Sequence, residues 1–327
     1  MPSRHRPLCH LMSYDYQDQD VIINCRLFYS AAGFRARVNP RDEACELLVV
    51  LRGDPGERHR GYRGRVHVYD YAKGRVVDWR QRFPAAAEIV LISPIRPEAN
   101  DGLPFIEAYL PVMARFWQLG TTLERQQRLL HLANYKFVSG DPFHNQLIAL
   151  IRSGWVEVVG SNWQHVGIQA RPLSYWAANR RLARSRWCIG LMYPNQRGRS
   201  LSGRMWQAPL QGCHVISEAG TNLLNCPGVV EVAEYTRGSI QAVALPPAEE
   251  LREQATQFWH DRTQRLARQL GLSLARPSPR ELLRCHRQLI AGELQQQAIE
   301  WRGRIPGPRQ LGAGLRRRWR RDPPSGS

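Results

Sequence analysis

Lysine is nearly absent from this sequence: only Lys73 and Lys136 stand among 46 basic residues, and the rest are arginine. So strong a bias can arise from codon composition alone, which weakens any step from charge to a selected nucleic-acid face. Paired cysteines are missing too. The seven cysteines, at 9, 25, 45, 188, 213, 226 and 285, form no CxxC pair and no paired metal spacing, and their odd number argues against a disulfide framework. Reduced thiols of a cytoplasmic protein fit this pattern. No apolar run approaches the roughly 18 residues needed to span a bilayer, and the first residues lack the apolar core of a secretory signal. A soluble protein that is not exported is expected. No internal repeat is present.

What is abundant is apolar and positive. With 43% hydrophobic residues in 327, the chain can bury a core as one large or two medium domains, which excludes disorder throughout. A net charge of +18 and a pI near 10.4 draw it to anions: nucleic acid, acidic lipid or a phosphorylated metabolite. Charge alone does not choose among them.

In chain order, a polar and irregular segment at 1–20 is followed by expected strands at 21–24, 45–51, 66–69 and 88–92. Helices are expected at 26–37, 78–83, 105–117 and 123–133, and the alternation implies parallel βαβ units. A second cycle begins where Asp141 can cap a helix over 143–152, with Pro142 at its first position. A strand at 155–160, a polar loop at 161–165, a helix at 173–184 and a strand at 187–192 follow. Beyond residue 222, strands are expected at 229–232 and 240–245, then a helix at 247–270. Ser278 and Glu281 form a capping-box start for a last helix to about residue 301. The expected domains are 21–140 and 141–275, then a carboxyl-terminal helical segment 276–308 and a basic, disordered tail 309–327.

Residues 197–222 carry the densest chemistry. An Arg/Gly/Ser-rich loop bearing Arg197 and Arg199 supplies backbone N–H groups and guanidinium forks. The helix that Arg204 opens points its positive end at that loop, which suits a phosphate. Val215 and Ile216 then form a strand, and Glu218 and Asn222 follow where an open α/β sheet places ligand groups. Gln207 stands one turn after Arg204, although Gln207 and Gln211 also fit as plain surface amides. Asp18-Gln19-Asp20 has the DxD spacing that holds a metal ion on a diphosphate. That arrangement needs a strand before it, and here the apolar run comes after, so a solvated segment is expected. His131, among Leu129, Leu130 and Leu132, reads as structural, and Trp163 as a buried loop aromatic.

From about residue 173 to 235 the sequence resembles the carboxyl-terminal domain of a GT-B glycosyltransferase, of the bacterial group 1 and spore-coat types. The matching residues are Ser185-Arg186-Trp187-Cys188-Ile189-Gly190-Leu191, Gly203-Arg204-Met205-Trp206-Gln207 and Gln211-Gly212-Cys213-His214-Val215-Ile216-Ser217-Glu218. The resemblance implies an α/β fold of two Rossmann-like domains facing across a crevice, with the donor site in the second. It implies a hexosyltransferase of polysaccharide or envelope glycan biosynthesis that takes a nucleotide-sugar as donor substrate, with no metal or other cofactor. Arg204, with Arg197 and Arg199, would neutralise the donor diphosphate. Gln207, Glu218 and Asn222 would face the donor sugar or ribose. Two departures stand out: the family has Glu at Gln207, and Pro209 inside the helix costs about 3 kcal/mol and shortens or kinks it.

Asp54, Asp70, Asp78, Glu107 and His131 are open candidates for a general base from the first domain. Two alternatives remain on the sequence alone. A basic nucleic-acid-binding protein would follow from the charge and the Arg/Trp tail, but no nucleic-acid module is present, so nucleic acid is not the expected partner. A non-catalytic relative would follow from Gln207, Pro209 and the small first domain. The tail also suits peripheral contact with an anionic membrane at the inner face, at about 1 kcal/mol per Arg.

Overall fold

A computed structural model describes residues 6–14, 19–41, 44–70, 77–95, 100, 102–119, 125, 129–135, 140–198, 201–241 and 246–304. Two wholly parallel sheets organise it. The first joins β1 (Leu8–Ser13), β2 (Arg35–Val38), β3 (Leu47–Arg52), β4 (Arg65–Tyr69), β5 (Glu88–Ser93) and β6 (Phe105–Glu107) in the order β2-β1-β3-β4-β5-β6. The second joins β7 (Leu129–Leu132), β8 (Val156–Val159), β9 (Trp187–Ile189), β10 (His214–Glu218) and β11 (Val229–Val232) in the order β11-β10-β9-β7-β8. Parallel strands are covered on both faces and so read as continuous apolar runs. Leu47 to Leu51 of β3 are all buried, in keeping with this rule.

The helices are α1 (Gln19–Ala31), α2 (Trp79–Arg82), α3 (Ala114–Trp117), α4 (Pro142–Arg152), α5 (Tyr175–Ala183), α6 (Arg204–Gln207), α7 (Arg237–Gln241), α8 (Ala248–Gln269) and α9 (Pro279–Arg304). Capping at Asp141 and Ser278 follows the sequence, and Asp78 adds a third cap. Asp78 accepts from Gln81 N at 3.1 Å, Asp141 from His144 N at 3.1 Å and Ser278 from Glu281 N at 3.3 Å. Each such cap stabilises its helix by about 1 kcal/mol.

Several expectations are corrected. The segment 1–20 contains β1, whose Cys9, His10, Leu11 and Met12 are buried because the strand lies between β2 and β3. Residues 21–24 belong to α1, not to a strand. This helix packs on β1 and β2 and also on α9, so Val21, Ile22, Ile23, Asn24 and Cys25 are all buried and no polar face marks the helical period. It ends at Ala31, and 35–38 is β2. Residues 105–117 split into β6 and the single turn of α3, with Pro111 between them. Of 123–133, the described end is β7, and its four residues are all buried. Ile240 and Gln241 end α7 rather than opening a strand, and 242–245 lie outside the described residues, as does the tail from 305.

The second sheet therefore starts at Leu129, upstream of the division expected at residue 140. Its carboxyl-terminal continuation returns to the first sheet's side. Thr263 of α8 accepts from Val112 N and donates to Val112 O, both at 3.1 Å, and Arg26 of α1 meets Glu281 of α9 at 2.5 Å. No helix among the described residues is long and apolar enough to cross a membrane.

Candidate functional site

Each sheet has one point where its strand order reverses. In the first, β1 leads to β2 on one side and β3 lies on the other; in the second, β7 leads to β8 and β9 lies opposite. Loops leaving the carboxyl ends of such strand pairs diverge and open a crevice, the usual ligand position in open α/β sheets. The loop after β1 leads to Asp20 in the first turn of α1. The loop after β9 leads to Arg197 and then α6.

These two places meet. Gln207 donates through Nε2 to Asp20 Oδ2 at 2.8 Å and to the Tyr175 hydroxyl at 3.1 Å. Its Oε1 accepts from Arg204 Nη1, and Arg204 Nε donates to Leu132 O at 3.0 Å. Gln207 is only 4% exposed, so it is not a surface amide. Gln211, also buried, accepts from Leu119 N at 3.2 Å and donates to Trp117 O at 2.8 Å. The departure from Glu at residue 207 now has a physical reason. An amide accepts from Arg204 and donates to Asp20 at once, whereas a carboxylate there would only accept and would face Asp20 with like charge.

A second cluster gathers around Arg197. Arg197 forks onto Asp141, Nη1 to Oδ1 at 2.7 Å and Nη2 to Oδ2 at 2.8 Å, and Nη2 also reaches Glu218 Oε1 at 3.3 Å. Its guanidinium lies 5.0 Å from the centre of the Phe143 ring. Burial works to raise the Asp141 pKa, but the Arg197 fork outweighs it and leaves the carboxyl below its ordinary value. Glu218, at the end of β10, goes the other way. Burial raises it, and neither its one Arg197 contact nor the Met192 N–H at 3.1 Å offsets that fully. One guanidinium thus holds two carboxylates, one firmly and one loosely.

The remaining sequence candidates scatter. Asn222 is engaged in its own turn, accepting from Cys226 N at 2.7 Å, while Glu231 accepts from the N–H groups of Thr221 and Asn222 at 2.7 and 2.6 Å. Arg199 lies outside the described residues. The helix opened by Arg204 is only the four residues of α6, because Pro209 diverts the chain into a 3-10 turn, Pro209–Gln211. Its dipole is too short to serve as the anion site expected of a full helix. Among the base candidates, Asp54 pairs with Arg82 at 2.7 Å and Asp78 caps α2. Asp70 follows β4, and Glu107 is exposed on β6. His131 is buried on β7, its Nδ1 3.1 Å from Ile189 O, and burial pushes its pKa down to about 4.

Asp20, which the sequence offered in a DxD spacing but assigned to a solvated segment, instead accepts from Gln207. Its signal was present in Leu8, Cys9, Leu11 and Met12, which form the strand that a DxD-like segment needs before it; Asp18 lies outside the described residues. Asp141 was legible as a cap but not as the partner of Arg197. Among the described residues no group of three His, Cys, Asp or Glu side chains is arranged to hold a metal ion.

The sequence matches no family model and no curated protein. The fold, however, has likenesses among solved structures. A sucrose-phosphate synthase from Thermosynechococcus elongatus superposes with a TM-score of 0.52 at 12% identity, over 88% of this chain and 100% of that one. The DNA-modifying enzyme β-glucosyltransferase, solved in the presence and absence of uridine diphosphoglucose, gives 0.50 at 10% identity over 81% and 96%. T4 phage BGT in complex with UDP and Mn2+ gives 0.50 at 8% identity over 81% and 97%. Identities this low carry the fold and not the activity. Two parallel-sheet α/β domains, with carboxyl-terminal helices that return to the first, give this chain the GT-B glycosyltransferase fold.

Proposed function

We propose that the protein is a glycosyltransferase that moves a sugar from a nucleotide-activated donor to an acceptor hydroxyl. The observation that carries this reading is the meeting of the two strand-order reversals, where Gln207 of α6 donates to Asp20 of α1 and accepts from Arg204. The solved structures with uridine diphosphoglucose and UDP support the donor class.

Arg204 is the donor-binding residue in this reading. Its permanent charge neutralises the diphosphate as the leaving group departs. Asp20 is the candidate general base for the acceptor hydroxyl, since a carboxylate within reach of the crevice can take that proton. Arg197 positions Asp141 and Glu218 rather than touching the donor. Charge neutralisation by arginine removes the need for a metal, so turnover is expected to survive EDTA.

Thermal shift with UDP and uridine diphosphoglucose tests the reading, because a ligand that binds the folded state raises the apparent melting point. Stabilisation that disappears in Arg204→Ala supports it, as does an Asp20→Asn variant that keeps the shift but loses turnover. No shift with any nucleotide, alongside salt-sensitive binding to arbitrary RNA, would instead favour the nucleic-acid reading.

Contact with an anionic membrane belongs to the same proposal. Leu283, Ile290 and Leu294 are 51, 51 and 60% exposed on α9 and recur at the spacing of one helical face, with Arg287 between them. The basic run at 316–321 follows. Vesicles of anionic phospholipid should pull down the full chain, and a chain truncated after Pro308 and carrying Ile290→Glu should stay in solution. Equal sedimentation of the two would refute the contact.

A further inference from the structure

At the far edge of the second sheet, β8 pairs on one side, with β7, and on its other side no strand stands among the described residues. Its outer edge opens into a groove of about 800 Å³, lined by all four β8 residues, the chain at 168–171 and one face of α5. Arg171, Arg180, Arg181 and Arg184 stand along it against one carboxylate, Glu157, which Arg181 grips. The apolar part comprises Val156, Val158, Ile168 and Leu173, and Leu173 is 38% exposed. No aromatic ring among the described residues lines it.

We propose that this groove binds an acidic segment of a partner protein, which enters as an extended strand against β8. An edge strand presents backbone N–H and C=O groups with no ladder partner, and these are strong, obligatory hydrogen-bonding groups. Natural edges are usually blunted by charges on the strand itself. Here most of the charge stands on the opposite wall, and it attracts rather than repels an anionic chain. A strand added beside Val156–Val159 spans about 13 Å. Its side chains alternate, so one set reaches the apolar residues and the other the guanidinium groups, the division of labour by which added strands gain affinity and specificity. Gly160 N donates to Arg171 O at 3.1 Å and closes one end of the groove, which fixes where the segment stops. A single-stranded nucleic acid would use the same arginines but also needs ring faces to stack its bases, and none among the described residues lines the groove.

Fluorescence anisotropy of a labelled peptide of about eight alternating glutamate and valine residues tests the proposal, with hydrogen exchange of the β8 amides as second readout. Saturable binding with protection at Val156–Val159 is expected. The double variant Arg171→Glu, Arg184→Glu should bind about tenfold more weakly, the effect of two partly screened charge pairs. Both residues are exposed, so a melting point equal to the parent's confines the effect to binding. A peptide with a central proline should lose binding, because proline cannot donate to a ladder. Equal binding of the proline peptide, an unchanged double variant, or tighter binding of an oligothymidylate that displaces the peptide would each overturn the proposal.

Discussion

Gln207 and Asp20, 187 residues apart in sequence, share a 2.8 Å hydrogen bond that ties α6 to the first turn of α1. Gln207→Glu keeps an acceptor for Arg204 but removes the donor to Asp20 and sets two carboxylates against each other. The variant is expected to lose about 1–3 kcal/mol. Two carboxylates at one place hold a proton more tightly, so the loss should be smallest in mild acid and grow as pH rises. Urea melts of parent and variant across pH give the answer; a loss independent of pH would mean that the two carboxylates do not meet.

Arg197 forks onto Asp141, whose side chain is 3% exposed, and it also reaches Glu218, at 1%. Arg197→Met strands two buried carboxylates and is expected to cost about 3–5 kcal/mol. Adding Asp141→Asn should recover part of that loss, since asparagine still caps α4 and carries no charge. Chemical denaturation of the single and double variants measures the coupling. If Asp141→Asn makes the Arg197→Met protein less stable still, the stranded-charge account is wrong.

These two contacts also mark how far the sequence could be read. Strands β3, β4 and β5 were legible because a run covered on both faces is apolar throughout, and α4 because Asp141 and Pro142 punctuate its start. Helix α1 was not, since burial on nearly every side erases the 3.6-residue period and leaves Val21 to Cys25 looking like a strand. Strand β7, Leu-Leu-His-Leu, fails for the related reason that a short buried run has no period to choose between helix and strand. Within the site, Arg204 and Gln207 could be paired from their spacing of one helical turn. Asp20 could not, because no local pattern records a contact that only the docking of two sheets creates.

Glu218 offers a test by pH. Burial holds its pKa above the ordinary glutamate value, so between the unfolded and folded values the folded protein binds more protons, and stability falls as pH rises through that window. Asp141 acts with the opposite sign: its contribution is present above the unfolded value and is lost as pH falls through its lowered folded value. Glu218→Gln should therefore flatten the decline of stability above about pH 4.3 and leave the acid limb below about pH 3.9 in place. Denaturation free energies taken at half-unit steps of pH would show it, and superimposable profiles would remove Glu218 from the account.

Gly160 fixes the spacing of the loops that leave β7 and β8. Its φ is +149°, where side chains are rarely tolerated, and a Cβ there would lie 1.9 Å from Ala133 O. That same carbonyl accepts from Trp163 Nε1 at 2.7 Å, so it cannot yield without releasing the indole buried beneath the loop. Gly160→Ala adds backbone strain of about 1–3 kcal/mol to the clash, and the sum should exceed the cost of Gly154→Ala, where φ is also positive but the added Cβ meets nothing within 4 Å. Both variants carry positive-φ strain, larger at Gly160, so the excess over Gly154→Ala reports the clash together with that added strain. Near-equal melting points for the two proteins would mean that the loops after β7 and β8 part freely, and that the crevice is not held open by their contact.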